Sequence, residues 1–177
     1  MRIDFEHVEL SRPHSGLYRG MHSLFLERHQ PGYRHLTRPP LHLGAFLRAS
    51  ETDVEYGMVA VSRLGPTADD LLVRGMCTLH ALNRLDRYAY ISLARRAAWE
   101  VPELMEWERE FVDKCFALLD LRKLYFELEG PGAWLAEVPA PFVLEGVLSE
   151  DVVLANGERL DVAIFCADAS GGAPLEL

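Results

Sequence analysis

Lysine is nearly missing from these 177 residues, with only Lys114 and Lys123 present, a scarcity that reads as genome composition and not mechanism. Cysteine is scarce too. Cys77, Cys115 and Cys166 are odd in number and far apart, which excludes a disulfide framework and a metal-ligand spacing. Small buried core residues are the expected reading of all three. No apolar run is long enough to cross a bilayer. The start, Met1-Arg2-Ile3-Asp4-Phe5-Glu6, carries no apolar signal region, so the expected location is the cytoplasm, without a membrane. No Ser-His-Asp order, zinc signature or nucleotide-binding glycine motif is visible. His14, His22, His29, His35 and His42 stand six to eight residues apart. A helical metal pair wants three or four, so no metal is expected.

What is present suits one globular α+β domain. The chain is 49% hydrophobic, enough to bury a core. No repeat or linker divides it, so residues 1–168 read as a single domain and the Gly- and Ala-rich stretch 169–177 as a flexible tail. Net charge is −9 and uneven: residues 1–48 hold seven arginines against four acidic residues, while the remainder is strongly acidic. The overall sign argues against non-specific nucleic-acid binding. The basic first segment still places Arg28, His29, Arg34 and His35 where an anionic acceptor or donor could bind, or where they form a solvated face.

Hydrophobic periodicity orders the elements. Val8 to Leu10 reads as a strand, Ser15 to Arg28 as a helix and Leu41 to Ser50 as a second short helix. Glu55 to Arg63, Leu71 to Leu82 and Tyr88 to Leu93 read as an antiparallel meander on their short connections. Pro102 suits a first helical turn, and Leu104, Trp107, Phe111, Cys115, Leu118 and Leu119 continue a long amphipathic helix. Leu121 to Leu128 is a strand, Trp134 to Val138 at most a short helix, and Phe142 to Leu154 and Arg159 to Ala167 are strands joined through Asn156-Gly157, the strongest hairpin signal in the chain.

Two stretches carry a family resemblance. Asn83 to Leu93 (NRLDRYAYISL) and Phe142 to Phe165 (FVLEGVLSEDVVLANGERLDVAIF) resemble the turn and fourth strand, and the closing hairpin, of the GNAT acyltransferase superfamily. The branch is the one that acetylates ribosomal-protein N-termini, polyamines and antibiotics. The resemblance implies a mixed, mostly antiparallel central sheet flanked by helices. It implies that the fourth and fifth strands splay to receive a pantetheine arm, and that the pyrophosphate of an acyl-CoA sits at the start of the long helix. Ile91, Leu93, Arg95, Arg96, Ala97 and Ala98 are the positions so implicated.

Two departures accompany the resemblance. Leu93 to Glu106 (LARRAAWEVPELME) contains no glycine, and Glu100 and Glu103 bring negative charge to the helix start. The family's usual acid, a tyrosine before the closing hairpin, is absent from Gly130 to Phe142. His80 is the best-placed candidate base, with a structural strand histidine as the competing reading. Tyr90 stands where many relatives have Glu, so that base is missing; either the acid is another residue, such as Tyr125 or Tyr90, or the leaving group needs none. Glu127 is a candidate for substrate contact, or an edge charge. The expected function is an acyltransferase forming an amide on a small-molecule amine in specialised metabolism, with a carrier-protein thioester or aminoacyl-tRNA in place of free acetyl-CoA. An ordinary acetyl-CoA-dependent N-acetyltransferase and a non-catalytic binding protein are the alternatives. The resemblance admits a homodimer through the final strands, since related proteins often pair, and the sequence does not decide it.

Overall fold

The computed structural model describes residues 5–9, 15–28, 42–52, 54–63, 71–95, 101–129, 138, 141–153 and 157–169. Seven strands form one sheet: β1 (Phe5–Glu9), β2 (Val54–Arg63), β3 (Leu71–Asn83), β4 (Tyr88–Arg95), β5 (Lys123–Glu129), β6 (Val143–Val153) and β7 (Arg159–Asp168). Their order across the sheet is β1-β2-β3-β4-β5-β7-β6. Only β4 and β5 run parallel, and every other neighbouring pair is antiparallel. That is the mixed, mostly antiparallel α+β sheet that the sequence predicts. The parallel step needs a crossover, and the long helix supplies it.

Among the described residues three helices accompany the sheet: α1 (Ser15–Arg28), α2 (Leu43–Thr52) and α3 (Val101–Leu119). The period-2 pleat divides the side chains between two cores. Cys77 and Leu79 of β3, Ala89, Ile91 and Leu93 of β4, and Leu124 and Phe126 of β5 meet Trp107, Phe111, Val112 and Cys115 of α3. On the other face, Val59, Val61, Val73, Met76 and Ala94 meet Leu17, Met21 and Leu24 of α1 and Phe46 of α2. Ile91 to Ala94 is buried throughout because both faces of β4 are covered there. Cys77 and Cys115 are core residues, as expected, whereas Cys166 is half-buried.

The closing hairpin is irregular where its sequence is distinctive. Its ladder slips between Leu144 and Gly146, so Glu145 is an extra residue. It slips again between Leu148 and Val152, where Glu150 has φ 53° and donates its N–H to Asp161 Oδ1 at 2.8 Å. Gly157 holds φ 84° at the turn, where glycine carries no Cβ penalty. β6 ends the sheet, and Val143, Leu144, Val147, Leu148 and Val153 on it are exposed. The homodimer through the final strands that the resemblance admits would form at this edge.

Helix α1 comes so close to β3 that a Cβ on Gly20 would lie 2.6 Å from Val73 Cγ2. Valine is stiff at χ1 and has little room to turn aside. Gly20→Ala is therefore expected to lower stability by about 1–3 kcal/mol, although a helix-interior Ala ordinarily gains up to ~1 kcal/mol over Gly. Urea denaturation checks this, and an unchanged or higher midpoint would show that the α1–β3 contact gives way freely.

Candidate active site

The β4–β5 ladder is short. Tyr88, Ala89, Tyr90 and Ile91 pair with Lys123, Leu124, Tyr125 and Phe126, and there it stops. Both strands continue with their other neighbours. β4 stays on β3 to the Gly75–Arg95 rung, and β5 stays on β7 to the Glu129–Val162 rung. The facing edges beyond Ile91 and Phe126 are no longer laddered to each other, so a gap in the ladder opens in mid-sheet. Ile91 and Leu93 lie on its β4 side with their side chains in the α3 core.

One row of side chains crosses the sheet at the last rung but one. His80 of β3 pairs with Tyr90, Tyr90 with Tyr125, Tyr125 with Cys166, and Cys166 with Val143. The rings stand side by side. His80 and Tyr90 have centroids 6.5 Å apart and planes at 23°, and Tyr90 and Tyr125 are 5.4 Å apart at 31°. Tyr88 meets both tyrosines edge-on, at 6.1 and 5.9 Å. Such tilted and edge-to-face geometries suit aromatic quadrupoles. Helices α1 and α2 cover β2, β3 and part of β4 on this face, while the tyrosine row lies beyond their cluster.

Carboxylates flank the row. Burial first, then the Glu127 carboxylate, the two neighbouring tyrosines and Glu145, push the Tyr90 phenol upward. Burial and Glu145 push Tyr125 up, against the pull of Lys123. Both phenols therefore stay protonated at neutral pH and act as donors. Glu127 is half-buried and sits one position beyond the last β4–β5 rung. His80 is 3% exposed, while Thr78 and Ser92 are a buried polar pair two β3–β4 rungs away on the same face. The structure thus brings His80, Tyr90 and Glu127 to one face beside the gap.

The donor-end residues divide. Arg96, Ala97 and Ala98 lie outside the described residues, as do His29, Arg34 and His35; Arg28 ends α1, and its side chain also lies outside them. Arg95 turns its fork onto Glu108 of α3, with Nε and Nη2 donating to the two carboxylate oxygens at 2.8 and 3.1 Å. Glu108 has a side-chain exposure of 0% and Arg95 of 19%. Burial raises the Glu108 carboxyl to about 7, against the opposing pull of Arg95. This pair was missed in the sequence, although Glu108 interrupts the apolar stripe Leu104–Trp107–Phe111 at helical spacing. Also missed were Tyr88, Lys123 and Glu145. Among the described residues, no group of His, Cys, Asp or Glu could hold a metal, and no helix is long and apolar enough to cross a membrane.

Solved structures of similar shape carry a shared description. A spermidine N-acetyltransferase from Vibrio cholerae, in complex with CoA and spermine, matches with TM-score 0.71 and 19% identity over 94% of this chain and 96% of that one. The fold is the GNAT fold. A dodecameric form of that acetyltransferase in an intermediate state matches at TM-score 0.69 and 19% identity, covering 94% of each chain. A complex with manganese ions matches at 0.67 and 18%, covering 94% of this chain and 93% of that one. No protein-family model and no curated protein matches the chain. At such identities the likeness speaks for the GNAT fold and leaves the chemistry to the residues.

Neutral Glu108 suits burial better than the carboxylate does. Its folded-state pKa lies above the ordinary 4.5, so the native state holds the extra proton. The contribution to stability is complete at acid pH and declines as pH rises from about 4.5 to about 7. Glu108→Gln is expected to flatten that decline in denaturation midpoints measured across pH 4.5–8. Arg95→Ala, which strands a buried carboxylate, is expected to steepen it and to cost about 3 kcal/mol at neutral pH.

Proposed function

We propose that this chain is an acetyl-CoA-dependent N-acetyltransferase of a small-molecule amine. The observation that carries the reading is the end of the β4–β5 ladder at Ile91–Phe126, directly beside the His80–Tyr90–Tyr125 row. Strand edges released from each other offer backbone groups to an extended acyl-pantetheine arm. Similar structures that bind CoA and spermine support the same donor and acceptor classes. In this reading Ile91, Leu93 and the segment through Arg96, Ala97 and Ala98 hold the donor. Arg95 contributes by tying the end of β4 to α3. Arg28, His29, Arg34 and His35 are assigned to the far end of the substrates.

An ammonium is not a nucleophile, so the acceptor must first lose a proton. Glu127 is proposed to contact the acceptor, and His80 receives the proton. The nitrogen then attacks the thioester carbonyl, the C–S bond breaks, Tyr90 supplies a proton to the leaving sulfur, and the second proton that the new amide nitrogen sheds returns to the Tyr90 oxygen. A phenol held protonated fits that last role and not that of base. Tyr90→Phe is expected to lower kcat by about 10²-fold with a smaller effect on KM, measured by steady-state acetylation.

A second reading keeps the GNAT frame and changes the donor to a carrier-protein thioester or an aminoacyl-tRNA in specialised metabolism. The glycine-free run from Leu93 to Glu106 supports it, as does the use of the Arg95 fork on Glu108. Calorimetry with acetyl-CoA separates the two. Micromolar binding with acetylated amine in the product mixture supports free acetyl-CoA. No binding, together with transfer from a carrier thioester, supports the second reading. Absence of transfer from every donor class would leave a non-catalytic binding protein.

A further inference from the structure

The tyrosine row already has a primary amine beside it. Lys123 opens β5 and pairs with Tyr88 on the first β4–β5 rung. It stands two residues before Tyr125, so the period-2 pleat puts both side chains on the face of the row. Its Nζ lies 5.7 Å from the centroid of the Tyr125 ring, and that ring is 5.4 Å from the Tyr90 ring. The Tyr125 ring is thus the step between this amine and the phenol assigned above to the leaving sulfur. A flexible four-carbon stem can cover much of that step. The chain has only one other lysine, Lys114, and it stands on α3, which packs on the opposite face of the sheet.

Glu145 restrains that amine. It is the extra residue of the β6 bulge, and its Oε1 accepts a hydrogen bond from Lys123 Nζ at 2.9 Å. The bond pushes the Lys123 ammonium further from neutrality, and an ammonium has no lone pair with which to attack a carbonyl. It also anchors the stem on the β6 side, away from the β4–β5 gap. Side-chain exposures of 32% and 44% leave the pair in contact with water, where such bonds are weak enough to open. We propose that Lys123 is a self-acetylation site of this chain and that Glu145 guards it. When the pair opens, the ammonium gives one proton to water and Nζ attacks the thioester carbonyl of acetyl-CoA. The N–C bond forms and the C–S bond breaks. Tyr90 protonates the leaving sulfur, and the second proton shed by the amide nitrogen returns to the Tyr90 oxygen. The products are acetyl-lysine, the free thiol of CoA and one proton in solution. The proposal rests on the amine-acetyltransferase reading above and adds a modification site to it.

The test incubates the full chain with acetyl-CoA and reads acetyl groups on each lysine by peptide mass spectrometry, with butylamine acetylation followed in parallel. Lys114 has a similar side-chain exposure of 34% and its own partner in Glu110, so it reports uncatalysed acetylation. Glu145→Gln keeps the shape and removes the charge. It is expected to speed acetylation of Lys123 at least about tenfold, the effect of one pKa unit on the neutral fraction, and to leave Lys114 unchanged. Adding Tyr90→Phe to Glu145→Gln should remove most of that gain. A half-exposed ion pair contributes little to stability, so Glu145→Gln should fold, and Glu145→Ala stands in for it if it does not. Suppose the unsubstituted chain acetylates butylamine, but Lys123 reacts no faster after Glu145→Gln, or at a rate that Tyr90→Phe leaves alone. Either result overturns the self-acetylation proposal and spares the reading beneath it. Failure of the unsubstituted chain to acetylate any amine, its own lysines included, overturns the acetyltransferase reading, and this proposal with it.

Discussion

Parallel strands β4 and β5 share four rungs and then take different neighbours. The constraint is geometric. β4 follows β3, β5 follows β7, and past Ile91 and Phe126 the ladder between them ends. A gap that presents backbone donors and acceptors in a row suits an extended chain-like ligand. The core is arranged around this opening, with α3 backing one face through Trp107, Phe111 and Cys115 and α1 backing part of the other.

The chemistry of the face follows from register more than from any single residue. His80, Tyr90 and Tyr125 belong to three different strands and become neighbours because their rungs coincide. Side-by-side rings pack well and present their polar tips to one side of the sheet. The nearby carboxylates then do two things at once. They add to burial in pushing the Tyr90 and Tyr125 phenols upward, and they bring negative charge to the row. Both properties suit an amine acceptor and a thiolate leaving group.

Much of the fold was legible in the sequence because it rests on local periodicity. Helix α1 begins and ends where Leu17, Met21 and Leu24 predict, and β2, β3, β6 and β7 fall within a residue or two of their expected bounds. The Asn156-Gly157 signal marks the hairpin that closes the sheet, with Gly157 at positive φ. The site was legible in part. His80, Tyr90 and Glu127 do share one face, but the row they make with Tyr125 depends on rungs between strands far apart in the chain. Glu145 was quoted within the closing-hairpin pattern without a role, because a bulge redirects it and a bulge has no local pattern. Lys123, at the start of β5, gains meaning only from Glu145, 22 residues away. Arg95 and Glu108 both stood in plain view. Only the three-dimensional crossing from β4 to α3 shows that the arginine fork faces inward.

That inward turn bears on the donor end. An ion pair placed inside an apolar helix stripe is a weak source of stability, since desolvating both charges cancels most of their attraction. Its value lies in position. At the last β3–β4 rung, where β4 has already parted from β5, Arg95 ties the strand end to the second turn of α3. An apolar contact there would be non-directional and would tolerate sliding, whereas a two-point fork fixes both distance and orientation. The gap therefore has a strand edge on one side that is held from behind by the helix and not by its former neighbour.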